Sequence, residues 1–382
     1  MLNIVADENI PFVREAFAAL GRVTTLPGRR MQRVDLAAAD VLLVRSVTRV
    51  DATLLHGTPV RFVASATIGF DHLDRDYLAE HGIPWATAPG CNATPAAEWV
   101  VAALLQVAPQ VGGDLRGLRV GIIGCGNVGS RVRDRLQSLG MTCLINDPPR
   151  QAREPEAEHY VDLATALGCD VVTLHVPLTH SGPYPTRHLL NCDRLAMLQP
   201  GAILINAARG AVVDNPALND LLQKQANTAL LDCWEGEPTI SVELMQRCAV
   251  ATPHIAGYSL DGRVRGTEMI QRAVCDWLEI QPIWRGSDTL PEIPERLIDL
   301  RRHNTALDAI TAAVRHVYDI TRDDRALRRL TTLAPDQRAG EFDRQRKEYP
   351  VRREFAAYQV RVDSTAIALR ATLAGLGFNL AP

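Results

Sequence analysis

The chain has almost no lysine, few aromatic residues and no long apolar run. Only Lys224 and Lys347 are lysine among 41 basic residues, and aromatic side chains make up 5% of the 382 residues. A transmembrane helix needs about 20 consecutive apolar residues, so no membrane span is predicted. The formal net charge of −3 gives no general attraction to nucleic acid or to an anionic membrane, and we expect neither as a partner.

The start of the chain lacks the features of a secretory signal. The segment MLNIVADENIPF has no basic stretch and carries Asp7 and Glu8, which argues against a signal peptide, and we expect a cytoplasmic protein. The 8 cysteines form no CxxC pair and no Cys/His cluster at metal spacing. Reduced, mostly buried thiols are therefore expected, and no metal site is predicted.

The remaining composition is that of a soluble globular protein of two or three domains, with 47% apolar and 22% charged residues. Short apolar runs rich in β-branched residues alternate with helical patterns over residues 1–93 and again over 118–255. This alternation predicts parallel sheets covered by helices on both faces. Residues 286–382 are charge-dense but nearly neutral, and they predict helices with one or two strands.

A glycine-rich motif follows a predicted strand and opens a predicted helix. It has the form G-x-G-x-x-G, and its residues are Gly124, Cys125, Gly126, Asn127, Val128 and Gly129. Such a turn lets backbone N–H groups approach a pyrophosphate. Asp147, at the end of the next predicted strand, suits a ribose hydroxyl and favours NAD over NADP, although Arg150 lies nearby. The alternatives are a turn that only packs a helix, or a site for FAD or S-adenosylmethionine.

Three later residues each follow a predicted strand and together suggest hydride-transfer chemistry. They are Arg209, Glu237 and His254. An arginine binds a carboxylate with two hydrogen bonds, a histidine takes a hydroxyl proton, and a glutamate orients the histidine. Taken singly, each could instead be a surface arginine, a solvated acid or a structural histidine. The set is the one that oxidation of a hydroxy acid requires.

The chain resembles the D-isomer-specific 2-hydroxyacid dehydrogenases. The matching stretches are VGIIGCGNVG, HVPLT (175–179), INAARGAVVD, DCWEGEP and TPHIAG, and the resemblance covers roughly residues 1–280. It implies that Arg209 binds the substrate carboxylate, His254 is the acid/base and Glu237 hydrogen-bonds His254. It further implies NAD contacts beyond the glycine motif and Asp147, made by His175, Ala207, Asp232, Gly257 and Tyr258.

A finer resemblance points to a branch of this family that acts on a four-carbon hydroxy acid with a phosphate at its far end, in vitamin B6 biosynthesis. It rests on VADENIPF, LLVRSVT, ASATIGFDHLD, GPYPTRHL, Tyr258 and the tail EFDRQRKEYPVRREF (341–355). It implies substrate contacts from Ser46, Thr67 and Tyr258. Arg45 is our candidate for the phosphate, and Arg346, Arg352 and Arg353 of the tail could add to it or be surface arginines.

The resemblance also predicts the architecture. We expect a flavodoxin-like substrate domain (1–95 and 256–285), a Rossmann NAD domain (96–255), and a small C-terminal α+β domain (286–382) that makes a homodimer. A cleft between the first two domains would close on the substrate. Three alternatives stay open: a dehydrogenase of another phosphorylated hydroxy acid such as 3-phosphoglycerate, an NAD-sensing corepressor-like dimer, and a formate-type dehydrogenase.

Overall fold

The computed structural model describes residues 1–157, 159–282 and 284–382. Its strands are β1 (Leu2–Asp7), β2 (Gly21–Leu26), β3 (Val41–Val44), β4 (Phe62–Ser65), β5 (Trp85–Ala86), β6 (Arg119–Ile123), β7 (Thr142–Asn146), β8 (Val171–Leu174), β9 (Ile203–Asn206), β10 (Thr228–Leu231), β11 (Val250–Ala251), β12 (Leu297–Asp299), β13 (Gln359–Arg361) and β14 (Asn379–Leu380).

The α-helices alternate with these strands, which confirms the predicted α/β class. They are α1 (Val13–Phe17), α2 (Ala52–Leu55), α3 (Arg75–Glu80), α4 (Ala93–Val107), α5 (Asn127–Ser138), α6 (Pro148–Arg153), α7 (Leu163–Leu167), α8 (Cys192–Leu195), α9 (Asn215–Lys224), α10 (Val242–Arg247), α11 (Leu260–Trp277), α12 (Ala306–Val317), α13 (Ile320–Arg328), α14 (Pro335–Lys347) and α15 (Ile367–Leu376). None of the described helices combines the length and the hydropathy that a bilayer span requires.

The first compact unit consists of residues 1–92 and 258–292. Its sheet has the order β2-β1-β3-β4-β5, and all its strand pairs are parallel. This is the flavodoxin-like order, as predicted. The residues of β3 and β4 are buried throughout, because helices and loops cover both faces of a parallel sheet. Helix α11 covers one face, where Ile270 and Val274 pack with Phe17 of α1.

The second compact unit consists of residues 93–257 and 293–382. Its main sheet has the order β11-β10-β9-β8-β6-β7, again with parallel pairs. The common dinucleotide-binding order carries one more strand beyond the second. Here the described chain after β7 turns into α6, which begins with two prolines, and only the bridge between Ile145 and Tyr160 extends the sheet at this edge.

The C-terminal segment contains α12 to α15 and a small parallel sheet of order β12-β13-β14. Leu327, Leu330 and Phe342 of this segment belong to the same buried cluster as residues of β8, β9 and β10. The segment therefore shares a core with the six-stranded sheet and lies in the same compact unit. The division into three domains at residues 95, 255 and 285 stays a prediction.

Candidate active site

The sheet of the second unit brings the predicted site segments to one edge. The glycine motif follows β6, His175 follows β8, Ala207 and Arg209 follow β9, and Asp232 follows β10. TPHIAG starts directly after β11. Because neighbouring strands are parallel, their carboxyl ends lie side by side, and open α/β sheets bind their ligands at that edge.

The glycine motif forms a tight turn whose three glycines have different surroundings. Gly124 has a φ of +87°, a conformation that favours glycine. A Cβ atom on Gly129 would lie 2.0 Å from the carbonyl oxygen of Gly124, whereas a Cβ on Gly126 would meet none of the described atoms beyond its chain neighbours within 4 Å. The turn is thus closed on its protein side and open in front of Gly126, at the amino end of the 12-residue helix α5. That open space fits a pyrophosphate.

Asp147 and Arg150 both hold the glycine motif. The Asp147 carboxylate accepts hydrogen bonds from the backbone N–H groups of Cys125 (2.8 Å) and Arg150 (3.0 Å). The Arg150 side chain donates to the Cys125 carbonyl at 2.6 Å and to Glu154 at 3.2 Å. The Arg150 guanidinium is therefore engaged in hydrogen bonds with Cys125 and Glu154. The Asp147 carboxylate keeps lone pairs that can accept hydrogen bonds from ribose hydroxyls. This arrangement fits NAD better than NADP.

His175 lies where the chain leaves β8. Its Nε2 shares a hydrogen bond of 2.9 Å with Thr173, while its Nδ1 is buried and has no hydrogen-bond partner among the described residues. Burial lowers the pKa of His175 to about 3, so the ring is neutral. It does not carry a second proton at neutral pH, and its role as a cofactor contact stays a prediction.

Asp232 organises the loop that carries His254. Its buried carboxylate accepts hydrogen bonds from the Thr252 hydroxyl and from the N–H groups of Ile255 (2.8 Å) and Ala256 (2.9 Å). A carboxylate has about four acceptor positions, so one stays available, which suits a single N–H of a nicotinamide amide. Burial raises the pKa of Asp232, although the charge of His254 acts to lower it.

His254 and Glu237 form the central pair of the site. Nδ1 of His254 lies 2.7 Å from Oε2 of Glu237, and Oε1 of Glu237 accepts the N–H of Trp234 at 2.8 Å. Burial alone would raise the pKa of Glu237, but His254 and then Arg346 outweigh it and lower the pKa. The ionised glutamate holds the proton of His254 on Nδ1, which leaves Nε2 as the basic nitrogen.

Arg209 stands at the start of a short turn after β9. Its Nη1 donates to the Ala208 carbonyl at 2.8 Å, and its own carbonyl accepts a hydrogen bond from buried Asn206 at 2.9 Å. The next residue, Gly210, packs so closely that a Cβ there would lie 1.9 Å from the Trp234 carbonyl carbon. This contact ties the arginine loop to the segment that carries Glu237.

Sequence reasoning missed several supporting residues. Cys233 lies near Glu237 and His254, and the possible metal-ligand atoms of the three side chains are within 4.8 Å of one another. Its thiol donates to the Ala208 carbonyl, and burial raises its pKa well above the ordinary value, so we assign it to packing. Thr252, which hydrogen-bonds both Asp232 and Trp99, also lacked any sequence signal except its place before Pro253.

The predicted substrate residues of the first unit follow the strands of its sheet. Arg45, after β3, donates from Nε to the buried carboxylate of Asp7 at 3.2 Å, and the next residue, Ser46, is exposed. Thr67, after β4, is half-buried and shares a hydrogen bond of 2.8 Å with Ser65. Tyr258 is half-buried just before α11.

The tail arginines differ in their surroundings. Arg352 is 5% exposed. One of its nitrogens donates to the carbonyls of Pro95 and Ala256, and the guanidinium stacks over Tyr318 at 4.2 Å. The described contacts of Arg352 therefore lie in the protein interior. Arg346 is half-buried and close enough to act on the pKa of Glu237, and Arg353 is half-buried.

Comparison with known proteins defines the class first. A family model described as the NAD-binding domain of D-isomer-specific 2-hydroxyacid dehydrogenases matches residues 92–256. A second model, a domain of unknown function, matches residues 289–377. The D-lactate dehydrogenase from Aquifex aeolicus shares the fold, with a TM-score of 0.61 and 24% identity over 72% of this chain and 95% of that one. The chain thus contains the NAD-binding domain of the D-isomer-specific 2-hydroxyacid dehydrogenases and shares the fold of an NAD-dependent dehydrogenase.

Curated relatives narrow the class. The erythronate-4-phosphate dehydrogenase of Stutzerimonas stutzeri is 47% identical over 381 residues, which cover 99% of this chain and 100% of that protein. The enzyme of the same description from Azotobacter vinelandii is 48% identical over 98% of this chain and 99% of its own length. The chain therefore belongs to the erythronate-4-phosphate dehydrogenase family, and the resemblance found in the sequence is confirmed.

Proposed function

We propose that the protein oxidises 4-phospho-D-erythronate to 2-oxo-3-hydroxy-4-phosphobutanoate with NAD, a step of vitamin B6 biosynthesis. The observation that carries the chemistry is the 2.7 Å contact between His254 and Glu237, in a unit whose sheet also carries a turn that fits a dinucleotide. The substrate assignment is supported by the curated relatives, which match along their whole length.

The protein's own groups divide the reaction between them. Arg209 binds the substrate carboxylate through its planar guanidinium. Nε2 of His254 takes the proton of the 2-hydroxyl group, and Glu237 stabilises the imidazolium that forms. NAD, when bound, accepts the hydride from carbon 2. The alcohol thus loses one hydride and one proton, and its C–O single bond becomes a carbonyl.

The residues of NAD binding are assigned from the glycine turn, from the strand ends and from the family resemblance of the sequence. Gly124, Gly126 and the N-terminus of α5, beginning at Asn127, would hold the pyrophosphate, and Asp147 the adenosine ribose. The other expected contacts are Val128, Gly129, His175, Ala207, Asp232, Gly257 and Tyr258. For the substrate we assign Arg45, Ser46, Thr67 and Tyr258. We also propose that the enzyme is cytoplasmic and a homodimer formed through residues 286–382.

The decisive assay compares two phosphorylated acids. Purified protein with NAD should reduce the cofactor with 4-phosphoerythronate much faster than with 3-phosphoglycerate, and a 2-oxo acid acceptor should be included in case NADH leaves slowly. Preference for phosphoglycerate would keep the chemistry and change the substrate. If the protein binds NAD but oxidises neither acid, the proposed dehydrogenase activity is wrong and the NAD-sensing alternative is favoured.

A matched pair of variants tests the role of His254. His254→Gln should lower kcat by about 10²- to 10⁴-fold, the usual contribution of a general base, while NADH binding, followed by fluorescence, persists. His188 also pairs with a glutamate, Glu235, at 2.7 Å. His188→Gln should retain most of the activity. An equal loss in both variants would mean that the His254 variant only disturbs the fold.

A further inference from the structure

Two arginines from distant parts of the sequence lie at the carboxyl end of the sheet of the first unit. Asp7, the last residue of β1, is fully buried and accepts a hydrogen bond from Nε of Arg45 at 3.2 Å. Asn9 donates to the other oxygen of Asp7 through its backbone N–H (2.8 Å) and its side-chain amide (3.2 Å). The Asp7–Asn9 turn is therefore a fixed support for cationic groups.

The second arginine is Arg263, in the first turn of α11. Its Nη2 donates to the carbonyl oxygen of Asn9 at 2.8 Å. Burial lowers the pKa of Arg263, and the nearby charge of Arg45 lowers it further, yet a guanidinium remains charged at neutral pH. The two like charges are thus held close together although the sequence separates them by more than two hundred residues.

The charges of this cluster do not balance. Asp7 neutralises one arginine, and the described hydrogen bonds of Arg263 go to a neutral carbonyl. Each guanidinium donates to the described protein through one nitrogen only, so several N–H groups stay available on each. A half-buried excess of positive charge with unused donors is the arrangement that binds a phosphate group, and it lies at the sheet edge where ligands bind.

We propose that Arg45 and Arg263 together form the subsite for the phosphoryl group of the substrate, with the hydroxyl of Ser46 as a further donor. The proposal rests on the function proposed above and adds Arg263 to it. Arg45 is oriented by Asp7, and Arg263 is oriented by Asn9. The subsite distinguishes a phosphorylated acid from the same acid without phosphate.

The test compares 4-phosphoerythronate with erythronate, which lacks the phosphate. Arg263→Gln should lower kcat/KM for the phosphorylated acid by about 10- to 100-fold, the range expected for a lost hydrogen bond to a charged group. The value for erythronate should stay nearly unchanged, and Arg263→Lys should recover part of the loss. An equal decrease for both acids, or no decrease for either, would overturn the proposal.

A control variant removes an arginine that also binds a backbone carbonyl of the first unit. Arg14 is exposed and donates to the Val23 carbonyl at 3.0 Å and to the Thr25 hydroxyl at 2.6 Å. Arg14→Gln should leave kcat/KM unchanged for both acids. A loss of discrimination in this variant as well would mean that any change of surface charge produces the effect, which would overturn the specific role of Arg263.

A binding measurement separates this proposal from the proposed function. Calorimetric titration of the NADH-loaded enzyme with 4-phosphoerythronate requires no turnover. If the wild-type protein binds the ester and Arg263→Gln binds it at least 10-fold more weakly, the subsite stands even where no oxidation is detected. Equal affinity in the two proteins, or no binding to the wild type, would overturn it.

Discussion

At the scale of single residues, the site depends on which nitrogen of His254 carries a proton. Glu237 accepts the N–H of Trp234 on Oε1 and faces Nδ1 of His254 with Oε2. Both oxygens therefore need to be acceptors, and the lowered pKa of Glu237 keeps them so. The glutamate selects the tautomer whose Nε2 has the lone pair that a general base needs.

Glu237→Gln tests this dependence. The amide oxygen would continue to accept the N–H of Trp234, so the NH₂ group would face Nδ1 of His254 and the ring proton would move to Nε2. We expect kcat to fall by about 10²- to 10⁴-fold, as when the orienting carboxylate of a catalytic histidine is lost. Steady-state kinetics would measure it, with NADH affinity unchanged. A decrease smaller than about threefold would contradict the tautomer argument.

At the scale of elements, parallel strands and the turns that follow them create the site. The segments that carry the predicted catalytic residues leave the sheet of the second unit at the same edge. Close packing then ties the segments together, as where Gly210 lies against the backbone of Trp234. The glycine motif shows that two glycines of one motif can be required for different reasons.

Gly126→Ala and Gly129→Ala separate those reasons. A Cβ on Gly129 would meet the Gly124 carbonyl at 2.0 Å, whereas a Cβ on Gly126 would point into open space. Gly129→Ala should lower the thermal midpoint by several degrees, since overpacking costs about 1–3 kcal/mol. Gly126→Ala should keep the midpoint of the wild type but weaken NAD binding, measured by titration. Unchanged NAD affinity in Gly126→Ala would contradict the assignment of the pyrophosphate to that space.

At the scale of the whole molecule, the C-terminal segment is joined to the nucleotide-binding region by buried polar contacts. Arg352 donates to the Pro95 and Ala256 carbonyls, and Glu98 of α4 accepts the N–H of Phe355 at 2.8 Å. Ala256 also donates its N–H to Asp232. Ala256, two residues after His254, is thus held through its carbonyl by the C-terminal segment and through its N–H by Asp232 at the end of β10.

Glu98 makes this connection sensitive to pH. Burial, and then the charge of Glu354, raises the pKa of Glu98 from 4.5 to about 8. Between these pH values the folded protein binds a proton that the unfolded chain has released, so the free energy of unfolding falls as pH rises through this window. Glu98→Gln should remove roughly 2–4 kcal/mol of that decrease between about pH 5 and pH 8.

Urea denaturation at the two ends of this pH window would measure the effect. The amide side chain introduced by Glu98→Gln keeps an oxygen for the N–H of Phe355, so the hydrogen bond itself should persist. Glu15, which is exposed on α1, provides the control: Glu15→Gln should retain the pH dependence of the wild type. A parallel pH dependence in Glu98→Gln and the wild type would show that Glu98 is ionised throughout.

Elements with strong local signals could be predicted from the amino-acid sequence. The apolar runs predicted β1, β3, β4 and β6, and the glycine motif with Asp147 predicted the NAD site, because glycine spacing and strand periodicity are local properties. The resemblance of INAARGAVVD, DCWEGEP and TPHIAG pointed to Arg209, Glu237 and His254 for the same reason. These features require only residues that are close in the chain.

Contacts between residues far apart in the chain depend on how the elements pack and could not be predicted from the sequence. The sequence offered Arg352 for the phosphate, but its burial against Pro95, Ala256 and Tyr318 depends on how α4 and the C-terminal segment pack. The approach of Arg263 to Asn9 likewise depends on the packing of α11 against α1 and β4. Burial and charge proximity are properties of packing, and no local pattern encodes them.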